Sequence, residues 1–202
     1  MKKIVCMVAV CLGTVGAYAQ AQTDSLRLVK LQEVVVKGVR AQKNAPFAVA
    51  NIKKAELSSF GKTGRELPFL FANTPGVLAW SENGTGIGTS HIRIRGAADS
   101  RINVTLDGVA LNSPEDECVF WANMNSYASL MGSAQIQRGV GTSTNGDGAF
   151  GGTISLATAA PSLTPSLEVN GGYGTYNSYN VGMNFSSGLL WNRLVFNGAY
   201  HE

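Results

Sequence analysis

A mixed α/β domain of short strands, continued by the first antiparallel strands of a β-barrel, is the fold this sequence predicts. Two observations carry the α/β domain. Glycine supplies 24 of the 202 residues and charged side chains only 14%, a balance that suits short strands and many turns better than a helical bundle. Between residues 47 and 160, helical material lies among several strand signals. The barrel strands rest on a change of texture after "PSLTP", residues 161 to 165, where long two-faced strands joined by short turns take over.

The chain opens with "MKKIVCMVAVCLGTVGAYAQAQ". Lys2 and Lys3, an apolar run from Ile4 to Val15 and the small-residue pattern Ala17-Tyr18-Ala19 predict a secretory signal peptide, residues 1–19, and an exported mature protein. The run is too short for the roughly 20 residues of a membrane-spanning helix. Val10 before Cys11 does not suit a lipoprotein. Cleavage removes two lysines from a net charge of +3 and leaves Cys118 as the sole cysteine. An internal disulfide is thereby excluded, and with no cysteine or histidine near it Cys118 is read as a small half-buried residue. The charge balance gives no footprint for nucleic acid.

Residues 20–46 read as a flexible polar N-terminal segment, interrupted by "LQEVVVKG" at 31 to 38. Consecutive Val34, Val35 and Val36 favour an extended backbone. Set between polar spacers, they form either the first strand of the domain or a strand poised to join another protein's sheet edge. A strand is expected over 47 to 52, then helical material. There Thr63 and Glu66 fit a capping box, Pro68 falls in a first turn and Pro75-Gly76 stop the helix. The "GKT" at Gly61 to Thr63 is no phosphate loop, because Glu56 stands where that loop needs glycine.

Ile92 and Ile94 alternate with Arg93 and Arg95, a strand with one apolar and one basic face. "NVTLDGVAL" alternates on both sides of Asp107-Gly108, the signal of a two-residue type I′ hairpin. Glu115, Asp116 and Glu117 lack the spacing of a calcium loop and read as a solvated loop. Strands over 135 to 138 and 153 to 156 flank a glycine-rich stretch. After it come three alternating runs: Leu167 and Val169 up to Tyr173; Tyr179, Val181, Met183 and Phe185; and Leu194, Phe196 and Tyr200, with turns at 174–175 and 186–188. They have the dyad pattern of an outer-membrane barrel, with soluble meander strands as the alternative.

Taken in order, "LQEVVVKG", "ELPFLFANTPGV", "IRIRG", "INVTLDGVALNSPE", "VFWANM" and "QIQRGVGTSTNGDGAFGGTISL" resemble the signature segments of TonB-dependent outer-membrane receptors of the Bacteroidetes type. The resemblance covers residues 31 to 160 closely and 166 to 202 more loosely. It implies an α/β plug domain with a small mixed sheet over 47–160. The first antiparallel strands of a transmembrane β-barrel, over 161–202, would follow and stay incomplete. The complete receptor would have 22 strands around the plug. It also implies a TonB box at Leu31, Gln32, Glu33, Val34, Val35 and Val36, gripped as an added strand by the periplasmic partner TonB. Arg95 and Arg138, each followed by glycine, would contact the barrel wall. Gly148, Gly151 and Gly152 would let the plug press close to that wall and rearrange under a pull. The implied function is active uptake of a scarce nutrient such as a ferric siderophore, haem, cobalamin or a glycan, with no catalysis and no cofactor. The implied location is the outer membrane.

Twenty-two strands need about 220 residues before loops, and only 161 to 202 remain. A three-stranded sheet cannot close, so the chain is expected to be an N-terminal fragment of the receptor. The competing expectation is an exported, soluble plug-like binding module, or a non-functional fragment. An enzyme is not expected: His91 and His201 are the only histidines, and neither sits in a zinc motif or near a nucleophile elbow.

Overall fold

The computed structural model describes residues 40–41, 48–124, 127–140, 149–191 and 193–201; of Tyr176 and His201 it describes the backbone alone. Among these residues the alternating runs become strands. Five of them, β1 (Ala48–Lys53), β4 (Ile102–Leu106), β5 (Val109–Ala110), β6 (Met131–Arg138) and β7 (Gly152–Thr158), form one sheet in the order β1-β6-β7-β4-β5. The β4–β7 pair is parallel and the other neighbours are antiparallel, so the sheet is mixed, as expected.

Register turns this sheet into two unlike faces, because side chains alternate along every strand. Ile52, Ala134, Ile136, Ile154, Leu156 and Val104 line one face and enter the hydrophobic core. Asn51, Gln135, Ser155 and Thr105 run across the other in one cross-strand row, with Gln137 and Thr153 in the next. Most of this second face is polar and yet buried: Gln135, Gln137, Thr153, Ser155 and Thr105 are each less than a tenth exposed.

Three short helices cover the apolar side. Helix α1 (Lys54–Gly61) buries Leu57, and α2 (Leu67–Phe71) buries Leu67, Leu70 and Phe71. Helix α3 (Tyr127–Leu130) buries Ala128. Phe71 meets the buried Trp121 edge to face, with ring centroids 5.9 Å apart and planes at 72°. The expected capping box does not form. Pro68 places the helix start at Leu67, consistent with the preference for proline in a first turn, and Glu66 becomes the N-cap residue without a side-chain cap bond. Thr63 instead donates its hydroxyl to the Phe60 carbonyl (2.7 Å).

A two-stranded hairpin, β2 (Val77–Ser81) with β3 (Ser90–Ile94), packs on α2. Ile92 and Ile94 are buried and Arg93 is exposed, as the alternation predicts. The β4–β5 turn also forms as expected: Asp107 and Gly108 both take positive φ, 50° and 87°. The Asp107 carboxylate accepts the Thr158 N–H (3.0 Å) and hydroxyl (2.8 Å), which ties the hairpin to the end of β7.

The last sheet has the order β10-β9-β8, with β8 (Pro165–Tyr173), β9 (Tyr179–Ser187) and β10 (Asn197–His201) antiparallel throughout. The third strand starts later than the apolar run at Leu194 suggests. Leu190 and Leu194 exchange backbone hydrogen bonds (2.7 and 3.0 Å) in the connection, which leaves Leu194 and Phe196 ahead of β10. One face of this sheet meets the α/β domain, where Lys62 pairs with Glu168 (2.8 Å) and its carbonyl accepts Asn180 Nδ2 (2.8 Å).

Candidate functional site

The predicted signal peptide, the predicted TonB box at Leu31 to Val36, and Gly148 lie outside the described residues. The two arginine-glycine pairs, far apart in sequence, arrive at one place. The Pro75-Gly76 turn receives both: Arg138 donates from a guanidinium N–H to the Pro75 carbonyl (2.6 Å), and the Arg95 N–H donates to the Gly76 carbonyl (2.7 Å). Arg95 is held at φ 52°, a left-handed conformation that ordinary residues adopt only when the surrounding structure imposes it. Its guanidinium reaches the second pair, since a Cβ on Gly139 would lie 3.1 Å from it. Among the described residues no carboxylate lies within ion-pair distance of Arg95 or Arg138, and the buried Nε of Arg138 has no acceptor.

Gly151 and Gly152 pack inside the domain itself. A Cβ on Gly151 would sit 2.4 Å from that of Ala97, and one on Gly152 would sit 2.5 Å from the Gln137 carbonyl oxygen and 3.2 Å from Ile94 Cδ1. Their lack of a side chain allows the start of β7 to pack closely on Ala97, Gln137 and Ile94.

Three features were not legible in the sequence. Glu66 is 1% exposed, and its carboxylate accepts the Gly88 N–H (2.6 Å) and the Ser90 hydroxyl, while its own N–H donates to the Gly86 carbonyl (3.1 Å). The loop between β2 and β3 is thus fixed at its base by an acid from the helix start. At Gly86, with φ 86°, a Cβ would strike Arg65 Nε at 2.8 Å, where the guanidinium stacks 4.5 Å over Phe69. The second feature is an acidic clasp on the same hairpin. His91 Nδ1 lies 3.0 Å from Asp99 and its Nε2 3.5 Å from Glu82, with the ring stacked on Trp80. The Asp99 hydrogen bond raises the His91 pKa above its ordinary value; burial opposes this and Glu82 reinforces it. The third feature is Arg40, which lies on the polar sheet face against Ser133 and Ser155. A carboxylate next to a Leu-Pro step, and a lone arginine in a polar spacer, were the only sequence signals available.

Cys118 is half-buried, as expected, and burial pushes its thiol pKa up, with the Asp99 and Asp116 charges adding to the rise. Glu115, Asp116 and Glu117 are exposed. Among the described residues no cluster of histidine, cysteine and carboxylates is arranged to hold a metal ion.

The three-stranded sheet is inverted relative to a water-soluble one. Leu167 faces Phe185, Val169 faces Met183 and Tyr173 faces Tyr179 across β8 and β9, and Tyr200 adjoins Met183 from β10. All are exposed, Leu167 at 68% and Tyr173 at 78%. The alternate positions carry Glu168, Asn170, Asn180 and Asn184, and two of these bind the α/β domain.

Comparison with known proteins follows this geometry. The model of the TonB-dependent receptor plug domain family matches residues 41–153. Similar solved structures include the siderophore receptor PiuA from Acinetobacter baumannii (18% identity, TM-score 0.62, covering 83% of this chain and 22% of that one). The siderophore receptor PirA from the same organism is also similar (21%, 0.57, 76% and 24%). So is the ferric yersiniabactin uptake receptor FyuA from Yersinia pestis (22%, 0.54, 77% and 23%). At these identities the likeness speaks for the fold. This chain spans less than a quarter of the length of each. No curated protein sequence matches it. With the family model covering more than half of its residues, the chain belongs to the TonB-dependent receptor plug domain family.

Proposed function

We propose that this chain is the N-terminal region of a TonB-dependent outer-membrane transporter, with residues 47–160 as plug and 161–202 as the first barrel strands. One observation carries the proposal. Directly after the plug comes a sheet whose apolar face points away from it and whose polar face binds it, an arrangement suited to lipid outside and plug inside. The signal peptide exports the chain, and Leu31 to Val36 form the strand that TonB takes into its sheet. The substrate is a scarce nutrient of the class such receptors carry, a ferric siderophore, haem, cobalamin or a glycan. The protein moves it without covalent chemistry.

Arg95 and Arg138 face acidic groups of the completed barrel wall in this proposal. Two cations gathered on one turn, with no carboxylate beside them among the described residues, support it. Their neutralisation would hold the plug closed until tension arrives.

TonB docking is tested with the periplasmic domain of TonB and the full chain. Main-chain hydrogen bonds give added strands their affinity. Val35→Pro is therefore expected to weaken binding by about tenfold or more, equivalent to about 1.4 kcal/mol, whereas Val35→Ala changes it little. Equal binding of the proline variant would rule out strand addition at this site.

A further inference from the structure

Arg40 is four residues beyond Val36, so at most about 14 Å of extended chain separates the proposed TonB contact from it. Its guanidinium spans two strands of the polar sheet face. It donates to the hydroxyl (2.7 Å) and carbonyl (3.2 Å) of Ser133 on β6, and to the hydroxyl (3.3 Å) and carbonyl (3.0 Å) of Ser155 on β7. The backbone of the next residue is bracketed by one side chain. Gln135 Oε1 accepts the Ala41 N–H (2.8 Å), while its Nε2 donates to the Ala41 carbonyl (3.1 Å) and to Asn51 on β1 (2.8 Å). A planar guanidinium with five donors is the side chain best shaped for such a multiple grip.

We propose that Arg40 and this polar face form a releasable mechanical clasp, which takes up the pull of TonB before any strand of the mixed sheet does. The proposal rests on the reading of residues 31–36 as the TonB contact. Tension entering at residue 36 reaches Arg40 first in chain order, and the clasp spreads it over β6 and β7 in the middle of the sheet. While the clasp holds, β1 is shielded. Once it opens, tension passes to Ala48 at the end of β1, whose pairing with Arg138 is the first rung of an edge ladder. That ladder can then unzip rung by rung.

The chemistry of the face explains why this hold can let go and re-form. Arg40 and Ala41 rest on serine and glutamine, with threonine beside them, whereas the opposite face carries isoleucine and leucine. Hydrogen bonds broken on the polar side are replaced by bonds to water, so the net loss is small. Separating the apolar side would expose hydrocarbon to water and would not reverse as readily.

The test pulls the full chain between a handle attached ahead of Leu31 and one at Glu202. Opening the clasp lets the seven chain steps from Ala41 to Ala48 extend to a span of at most about 25 Å. The wild-type chain is expected to show this step before the larger release of β1. Arg40→Ala is expected to lose the step while keeping its far-ultraviolet dichroism. Should Arg40→Ala fail to fold, Arg40→Lys, which retains the charge but not the fork, is expected to lower the rupture force of the step. A step that persists unchanged in these variants overturns the proposal. Force enters through a covalent handle, so the outcome is independent of TonB docking, which the Val35 variants judge separately.

Discussion

The mixed sheet and the three-stranded sheet are built from the same alternating sequence, and they turn it in opposite directions. In β6 and β7 the apolar positions Ala134, Ile136, Ile154 and Leu156 point inward and are almost completely buried. In β8 and β9 the apolar positions Leu167, Val169, Met183 and Phe185 point outward, while Glu168 and Asn180 bind the neighbouring domain. Period-two alternation fixes only that two faces differ. What lies outside each face decides which of them is the inner one. The first sheet has hydrophobic side chains from helices on its apolar side; the second has a solvent of hydrocarbon on its own, in the outer-membrane reading.

The largest expected effect separates the two sheets directly. Trp121→Ala removes a buried ring packed on Phe71 and is expected to destabilise the domain by about 3 to 5 kcal/mol in a denaturant titration. Phe185→Ala removes an aromatic of the outward face and is expected to shift the same titration by less than about 0.5 kcal/mol, while weakening partition into lipid vesicles. Comparable losses from both variants in water would break the contrast, since Phe185 would then belong to a water-excluded core.

Next in size is Gly152→Ala, where a methyl group must displace the Gln137 carbonyl or Ile94. Overpacking of this kind costs about 1 to 3 kcal/mol, and the shift in denaturation midpoint measures it. A neutral result would show that β7 has slack against its neighbours. Asp107→Ala follows. It removes both acceptors of the Thr158 group at an exposed turn, for which about 1 kcal/mol is expected, with faster amide exchange at Thr158 as the local readout.

The smallest effect concerns His91. Its pKa is raised in the folded state, chiefly by Asp99, so the stabilisation it brings is complete below the unfolded histidine value of about 6.5 and is lost as pH rises through the higher folded value. The stability difference between wild type and His91→Gln is therefore expected to be greatest in mild acid and to vanish at alkaline pH. Asp99→Asn is expected to flatten that dependence. A difference that grows with pH would reverse the assignment.

Local signals in the sequence survived folding, and distant ones could not be foreseen. Asp107-Gly108 announces its turn because two positive φ values are needed there and these residues tolerate them. Ile92, Ile94 and the runs from Leu167 to Phe185 announce their strands for an equally local reason. The parallel β4–β7 pair joins residues some fifty positions apart, and nothing in either strand names the other. Glu66 shows the same limit at a single residue. Its spacing from Thr63 satisfies a capping box, yet Pro68 moves the helix start and leaves the carboxylate for Gly88 and Ser90. Arg40 looked like a piece of polar linker because its partners lie more than 90 residues away.

The buried Glu66 has a consequence for diversification. Its carboxylate pins the β2–β3 loop at Gly88 and Ser90, near the return to β3, while the bonds among Asn83, Thr85 and Ile87 stay within the loop's own tip. Substitutions at the exposed Asn83, Thr85 and Ile87 can thus accumulate without reaching the hydrophobic interior, whereas Gly86, buried at positive φ against Arg65, belongs to the fixed base. A lineage could change what that tip meets while inheriting its foundation intact.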